Sequence, residues 1–108
     1  MRTFLGEFEQ LLLLALLKLG DEAYGVRIRQ AIESGAGRPV SAGAVYTALE
    51  RLERQGLVSS RLGDPTPERG GKRKRYYRLE AEGARALKQA HAALARMSKG
   101  LAPKLESL

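Results

Sequence analysis

Helical spacing of apolar residues dominates the first half of the chain. From Gly6 to Leu19, the side chains of Phe8, Leu11, Leu12, Ala15, Leu16 and Leu19 recur every three or four residues and form one stripe, while Leu13, Leu14 and Leu17 occupy the opposite side. A helix that is apolar on both sides must be covered all round, and a chain of 108 residues cannot easily surround one of its own helices. Part of that surface is therefore expected to meet a second subunit. Gly20-Asp21 ends this helix, with Asp21 placed to cap a second one reaching to about Ser34. There Tyr24, Ile28, Ala31 and Ile32 share a face, a phase that assigns Tyr24 to the core. Gly35, Gly37 and Pro39 stop that helix. A third follows from Ser41 to Gln55, with Val45, Ala48, Leu49 and Leu52 on one buried face, Ser41 as the cap and Gly56 as a left-handed stop.

Beyond Gly56 the period changes. Residues Leu57 to Leu62 and Arg75 to Leu79 have strand character, and the connection between them holds Pro65, Pro67, Gly63, Gly70 and Gly71 before the basic run Lys72-Arg73-Lys74. This predicts a hairpin with a long, positively charged tip. Helical spacing returns from Ala81 to about Lys99, where Leu87, Ala90, Leu94, Met97 and Leu101 lie alternately three and four residues apart. That seam is too short for a free coiled coil, and it is expected to close between subunits together with the surplus Leu13, Leu14 and Leu17 face rather than to lie back on its own core. Residues 103–108 carry no pattern and are expected to be frayed. The predicted architecture is mainly α with a small β-hairpin: a winged helix-turn-helix over 1–80 that includes the N-terminal helix, a dimerisation helix over 81–102, and the tail 103–108.

Charge points to the kind of partner. The formal net charge is +7 and the isoelectric point about 10.1. Such a balance favours a polyanion, because lysines and arginines gain from releasing its condensed counterions. The chain has no cysteine, which excludes disulfides, thiol nucleophiles and thiolate metal sites. Its one histidine, His91, stands among alanines in the last helix with no nucleophile or paired carboxylate beside it, so neither an enzyme nor a zinc site is expected, and no cofactor. The longest apolar run, residues 11–17, falls far short of the roughly 20 residues a bilayer span requires. The start of the chain does not resemble a secretory signal, since Glu7 and Glu9 follow closely and no small-residue cleavage site is evident. A cytoplasmic location and no membrane partner are the default expectations.

The third helix is where the charge finds a use. Opposite its greasy face it begins with Ser41, Gly43 and Ala44, small enough to bring the helix N-terminus close to another surface, and continues with Tyr46, Thr47, Arg51 and Arg54. Standing alone, such a stretch is an ordinary amphipathic surface helix. Followed directly by a hairpin with a basic tip, it reads as a DNA-reading helix with its wing. Glu50 would repel phosphates, but it sits four residues before Arg54 in the favourable orientation for an intrahelical pair.

Several stretches together resemble one known family. Tyr24-Gly25-Val26-Arg27-Ile28, the run from Gly43 to Leu52 followed by Gly56-Leu57-Val58, and Gly70-Gly71 followed by Tyr76-Tyr77-Arg78-Leu79 and Glu82-Gly83 are similar in order and spacing to the PadR family of bacterial transcriptional regulators. The resemblance covers about residues 4 to 90. It implies a winged-helix homodimer that represses genes by binding a two-fold symmetric operator on double-stranded DNA, often released by a small aromatic or cationic effector. Glu80 stands where the family often has a threonine to cap the last helix, and a carboxylate also suits a positive helix N-terminus. The short C-terminal part resembles the smaller subfamily with a single dimerisation helix.

Carried onto this sequence, the resemblance implies that Ser41, Gly43, Ala44, Tyr46, Thr47 and Arg51 face DNA. Thr47 offers its methyl to a thymine or its hydroxyl to a base or a phosphate, Arg51 holds a phosphate, and the ring of Tyr46 either reaches a phosphate or packs on the second helix. Lys72, Arg73 and Lys74 are expected to enter or straddle a minor groove, and the hydroxyl of Tyr24 to reach the DNA backbone. An effector pocket is expected between the first and last helices across the dimer, enclosed by Phe8, Leu12, Leu16, Leu94 and Met97. The alternative is a basic RNA-binding or ribosome-associated protein, for which Tyr76-Tyr77 is the sole candidate stacking platform.

Overall fold

The computed structural model describes residues 4–64 and 73–108. Four substantial helices and one hairpin follow in the order α1 (Glu7–Leu19), α2 (Gly25–Ala36), α3 (Ala42–Arg54), β1 (Val58–Leu62), β2 (Arg75–Leu79) and α4 (Ala81–Ser98), and a short helix α5 (Ala102–Glu106) closes the chain. The tail expected to be frayed thus carries a helical turn, with Pro103 as its second residue, where a missing N–H costs nothing. No helix among the described residues is long and apolar enough to cross a membrane.

Helix α1 is the centre of the domain, packed against α2, α3, β2 and α4. This is why it is apolar nearly all round. Leu12, Leu13, Ala15 and Leu16 are all buried, so Leu13 belongs to the chain's own core rather than to a spare face, while Leu14 and Leu17 stay exposed. Ile28 and Ile32 of α2, Val45, Leu49 and Leu52 of α3, and Leu57, Val58 and Tyr77 of the hairpin complete one contiguous cluster. Among the described residues it contains no buried polar or charged residue, so its cohesion is apolar burial.

Local chemistry sets the angles between the helices. After α1 the chain takes a 3-10 turn, Gly20–Glu22, and Asp21 does not cap α2. Tyr24 takes the N-cap position instead, because Ala23 and Tyr24 are drawn into pairing with β2: the Tyr77 N–H donates to the Ala23 carbonyl at 2.8 Å and Tyr24 bridges Tyr76. The α2–α3 turn is braced by Glu33, which accepts from the Arg29 guanidinium at 2.9 Å and from the Val40 N–H at 3.1 Å. Helix α3 ends at Gly56, whose φ of 77° is the left-handed conformation expected of it. The strands pair antiparallel with Val58 opposite Leu79 and Arg61 opposite Tyr76. Arg75 donates to Ser60 and Ser60 to Glu53, tying the hairpin to the last turn of α3.

Helix α4 starts against the backbone of the hairpin. The Glu80 N–H donates to the Leu57 carbonyl at 2.9 Å, and Gly83 passes so close that a Cβ there would lie 2.1 Å from the same oxygen. Glu80 holds the N-cap position without a side-chain capping bond, and its carboxylate pairs with Arg78 at 3.6 Å. Ala86 and Leu87 are buried on the chain's own core, so the first part of the heptad seam does lie back on its own domain. From there on α4 leaves the core, with Ala90 partly covered and Leu94 and Met97 61% and 77% exposed.

Candidate nucleic-acid interface

Helix α3 buries Val45, Ala48, Leu49 and Leu52 and turns Gly43, Thr47, Glu50 and Arg54 outward. The Ser41 hydroxyl accepts the Ala44 N–H at 3.1 Å. The rest of the first turn has no acidic residue, and Ser41, Ala42, Gly43 and Ala44 are all exposed. A Cβ built on Gly43 would meet nothing within 4 Å. This leaves a helix N-terminus whose free N–H groups and partial positive charge are open to an anion, with no bulky side chain to hold it off. Thr47 is exposed on the outward face of α3 just past that turn.

Tyr46 combines the two alternatives left by the sequence. Its ring packs on α2, so closely that a Cβ on Gly25 would lie 2.1 Å from its hydroxyl, yet the residue remains 46% exposed. The hydroxyl therefore sits at the N-terminus of α2, beside the outward face of α3. Arg51 is placed differently from its expected role: its Nε lies 3.5 Å from Glu9 of α1, a carboxylate that also accepts the Gly6 N–H at 2.8 Å. An arginine so engaged is partly spent on holding α3 to α1. The expected Glu50–Arg54 pair is not among the ion pairs of the described residues, and both side chains face solvent.

At the basic end of the hairpin, Arg73 and Lys74 are exposed but each touches another part of the chain. Lys72 lies outside the described residues. The Arg73 Nε donates to the Gly63 carbonyl at 2.8 Å, and the Lys74 ammonium stands 4.5 Å from the centre of the Tyr24 ring. Tyr24 is thus half-buried at the sheet edge rather than in the core, meeting Tyr76 edge-on with ring centres 5.6 Å apart. The Arg61 guanidinium lies 4.8 Å from the Tyr76 ring, and the Arg27 Nε donates to the Tyr24 hydroxyl at 3.3 Å, a bond that raises the pKa of Arg27. Cation–π contacts of this exposed kind contribute about 0.5 to 1 kcal/mol each, enough to bias a flexible side chain without fixing it. The sequence reading gives Arg27 and Arg61 no role of their own, and Tyr76 one only as half of the stacking platform of the RNA-binding alternative. Tyr77, on the opposite face of the strand, is buried, and burial pushes its phenol above the ordinary tyrosine range.

The residues expected at a subunit interface divide in two. Leu13 and Leu87 are core residues, whereas Leu14, Leu17, Leu94, Met97 and Leu101 are exposed, and Ala90 lies between. The expected effector pocket changes in the same way. Leu12 and Leu16 are buried in the monomer core and cannot line a cavity, Phe8 is partly covered, and only Leu94 and Met97 are open. What exists instead is a groove of about 530 Å³ between the chain before α1 and the outer part of α4, lined by Phe4, Leu5, Gln10, Ala90, Leu94 and Arg96 among others. Its apolar floor carries Lys88 and Arg96 at the rim, and among the described residues that line it there is no carboxylate. Among the described residues no cluster of histidine, cysteine, aspartate and glutamate could hold a metal ion.

Comparison with known proteins agrees with this geometry. The model of the family described as "Transcriptional regulator PadR-like family" matches residues 13–89. Similar solved structures include a PadR family transcriptional regulator from Eggerthella lenta, 31% identical over 94% of this chain and 88% of that one with a TM-score of 0.66. A transcriptional regulator from Clostridium thermocellum is 28% identical over 84% of this chain and 85% of its own, with a TM-score of 0.69. A PadR family transcription regulator from Clostridium difficile, at 24% identity, covers 93% of this chain and 99% of its own with a TM-score of 0.70, which supports the winged-helix fold. A search for curated relatives finds no match.

Proposed function

Since the chain belongs to the PadR-like family of transcriptional regulators, we propose that it acts in the cytoplasm as a homodimer that binds a two-fold symmetric operator and represses neighbouring genes until a small molecule releases it. The observation that carries this reading is the first turn of α3, which is exposed, acid-free and built of small residues around Ser41. A phosphate or a groove edge can approach such a turn to hydrogen-bonding distance. One α3 covers a half-site only. Two related by a two-fold axis reach successive major grooves about 34 to 36 Å apart. In this arrangement Ser41, Gly43 and Ala44 set the approach, Thr47 reads, and Tyr46 and Tyr24 hold the backbone.

Selection of binding sites from a randomised duplex pool tests both parts of the reading. It is expected to return two-fold symmetric sequences, and Thr47→Ala is expected to relax the choice of base at one position in each half-site by about 1 to 3 kcal/mol, with the other positions unchanged. Pools that stay random for the wild type would refute operator reading, and an identical preference in the variant would remove Thr47 from it.

The place for an effector is the groove beside Leu94, closed by the second subunit. Because Lys88 and Arg96 rim it and, among the described residues, no carboxylate does, neutral or anionic aromatic compounds fit its charge better than the cations that the family resemblance also implies. A screen for loss of operator binding should therefore yield aromatic compounds without positive charge, and their effect should weaken in Leu94→Ala. Active compounds that are all cationic, or indifferent to that substitution, would place the site elsewhere.

A further inference from the structure

We infer that Arg27, Arg61 and Lys74, seated on the rings of Tyr24 and Tyr76, form a phosphate-binding strip on the sheet that carries the DNA backbone beyond the reach of α3. This rests on the reading of the chain as a duplex-binding regulator. Residues opposed across antiparallel strands share a face, and here Arg61 opposes Tyr76, Tyr76 bridges Tyr24, and Lys74 stands two residues before Tyr76. One face of the sheet therefore presents a row of two tyrosines with three exposed cations around them. The neighbouring basic residues are engaged: Arg78 pairs with Glu80, Arg75 donates to Ser60 and Arg73 to the Gly63 carbonyl. Among the described residues none of the three ring-seated cations is in an ion pair. Glu22, whose charge acts on Arg27 from a distance, belongs to the turn before α2.

The strip is continuous with the reading helix. Tyr24 directly precedes Gly25, and Gly25 lies under the Tyr46 hydroxyl of α3. A backbone that leaves the N-termini of α3 and α2 thus meets Lys74 and then Arg61. The rings act as seats: a lysine or arginine lying on an aromatic face has given up part of its rotamer freedom before the phosphate arrives, and so binds with a smaller ordering cost. The same seating argues against a single strand as the occupant. Tyr24 and Tyr76 meet each other edge-on and their free faces are covered by cations, so a base could stack there only by displacing one.

Salt titrations on a mixed-sequence duplex and on one of its single strands, with full-length Arg27→Ala, Arg61→Ala and Lys74→Ala, test the strip. Each variant should lower the slope of log affinity against log salt on duplex by about 0.9, leaving base preference alone. Tyr76→Leu should weaken duplex binding severalfold with the slope retained, as befits a positioning residue. Wild-type binding with unchanged slopes in Arg27→Ala and Arg61→Ala would overturn the strip and leave the regulator reading standing. So would a Tyr76→Leu effect confined to the single strand. A wild type without affinity for duplex would overturn both.

Discussion

Leu94→Glu should abolish tight binding to a full operator and halve the mass of the protein in sedimentation. Leu94 is 61% exposed on the part of α4 that has left its own core, with Met97 three residues on and Leu14 and Leu17 exposed on α1. Leu101, by contrast, lies beyond the end of α4 at Ser98, past Gly100 with a φ of 79°, and does not continue the predicted seam. Covering a leucine side chain contributes roughly 1.5 to 3 kcal/mol. A handful of such residues from each subunit can exceed an association cost of about 4 to 15 kcal/mol. A carboxylate buried in that seam without a partner would lose several kcal/mol of hydration and reverse the balance. The residue touches little of its own domain, so the variant should keep the helical content of the wild type. A variant that remained dimeric, or a monomer that bound the full site as tightly as the wild type, would refute the seam.

The second large effect is expected inside the fold. Gly83→Ala would set a methyl 2.1 Å from the Leu57 carbonyl oxygen and 2.7 Å from a methyl of Leu79. Both obstacles are held in place, the first by the backbone and the second by the sheet. Helix α4 must then back away, at the expense of the bond from the Glu80 N–H to the same carbonyl. Overpacking at a rigid site costs about 3 kcal/mol, which corresponds to a fall in melting temperature of roughly 10 °C or more for a domain of this size. Gly35→Ala is the control, since its Cβ would meet nothing within 4 Å and the change favours helix by up to about 1 kcal/mol. Equal melting temperatures for the two variants would show that α4 is not anchored at this contact.

Much of this arrangement can be read from the chain, for identifiable reasons. The apolar phases of α2 and α3, the serine cap at Ser41 and the stop at Gly56 are local properties, and they carry through to the structure. The fate of α1 is not local. Its all-round apolar pattern shows that it must be covered but not by what, and α2, α3, β2 and α4 supply much of the cover that a partner was expected to give. Leu12, Leu13 and Leu16 accordingly moved from interface and pocket into the core. The phase of Tyr24 misled because Ala23 and Tyr24 pair with β2, so Tyr24 starts α2 from the edge of a sheet. The seats for Arg61 and Lys74 depend on strand register, which a connection as long as residues 63–74 leaves unspecified. The Arg51–Glu9 pair joins residues far apart in sequence and has no periodic signature.

The most direct test is the mass of the complex formed with duplex DNA carrying the selected two-fold symmetric site, measured by sedimentation at moderate salt beside a half-site duplex and a single-stranded RNA of equal length. Two chains on one full site, weak binding to the half-site and weaker still to the RNA are expected. A single chain bound tightly to the full site, or a preference for the RNA, would contradict a dimer reading an operator through α3.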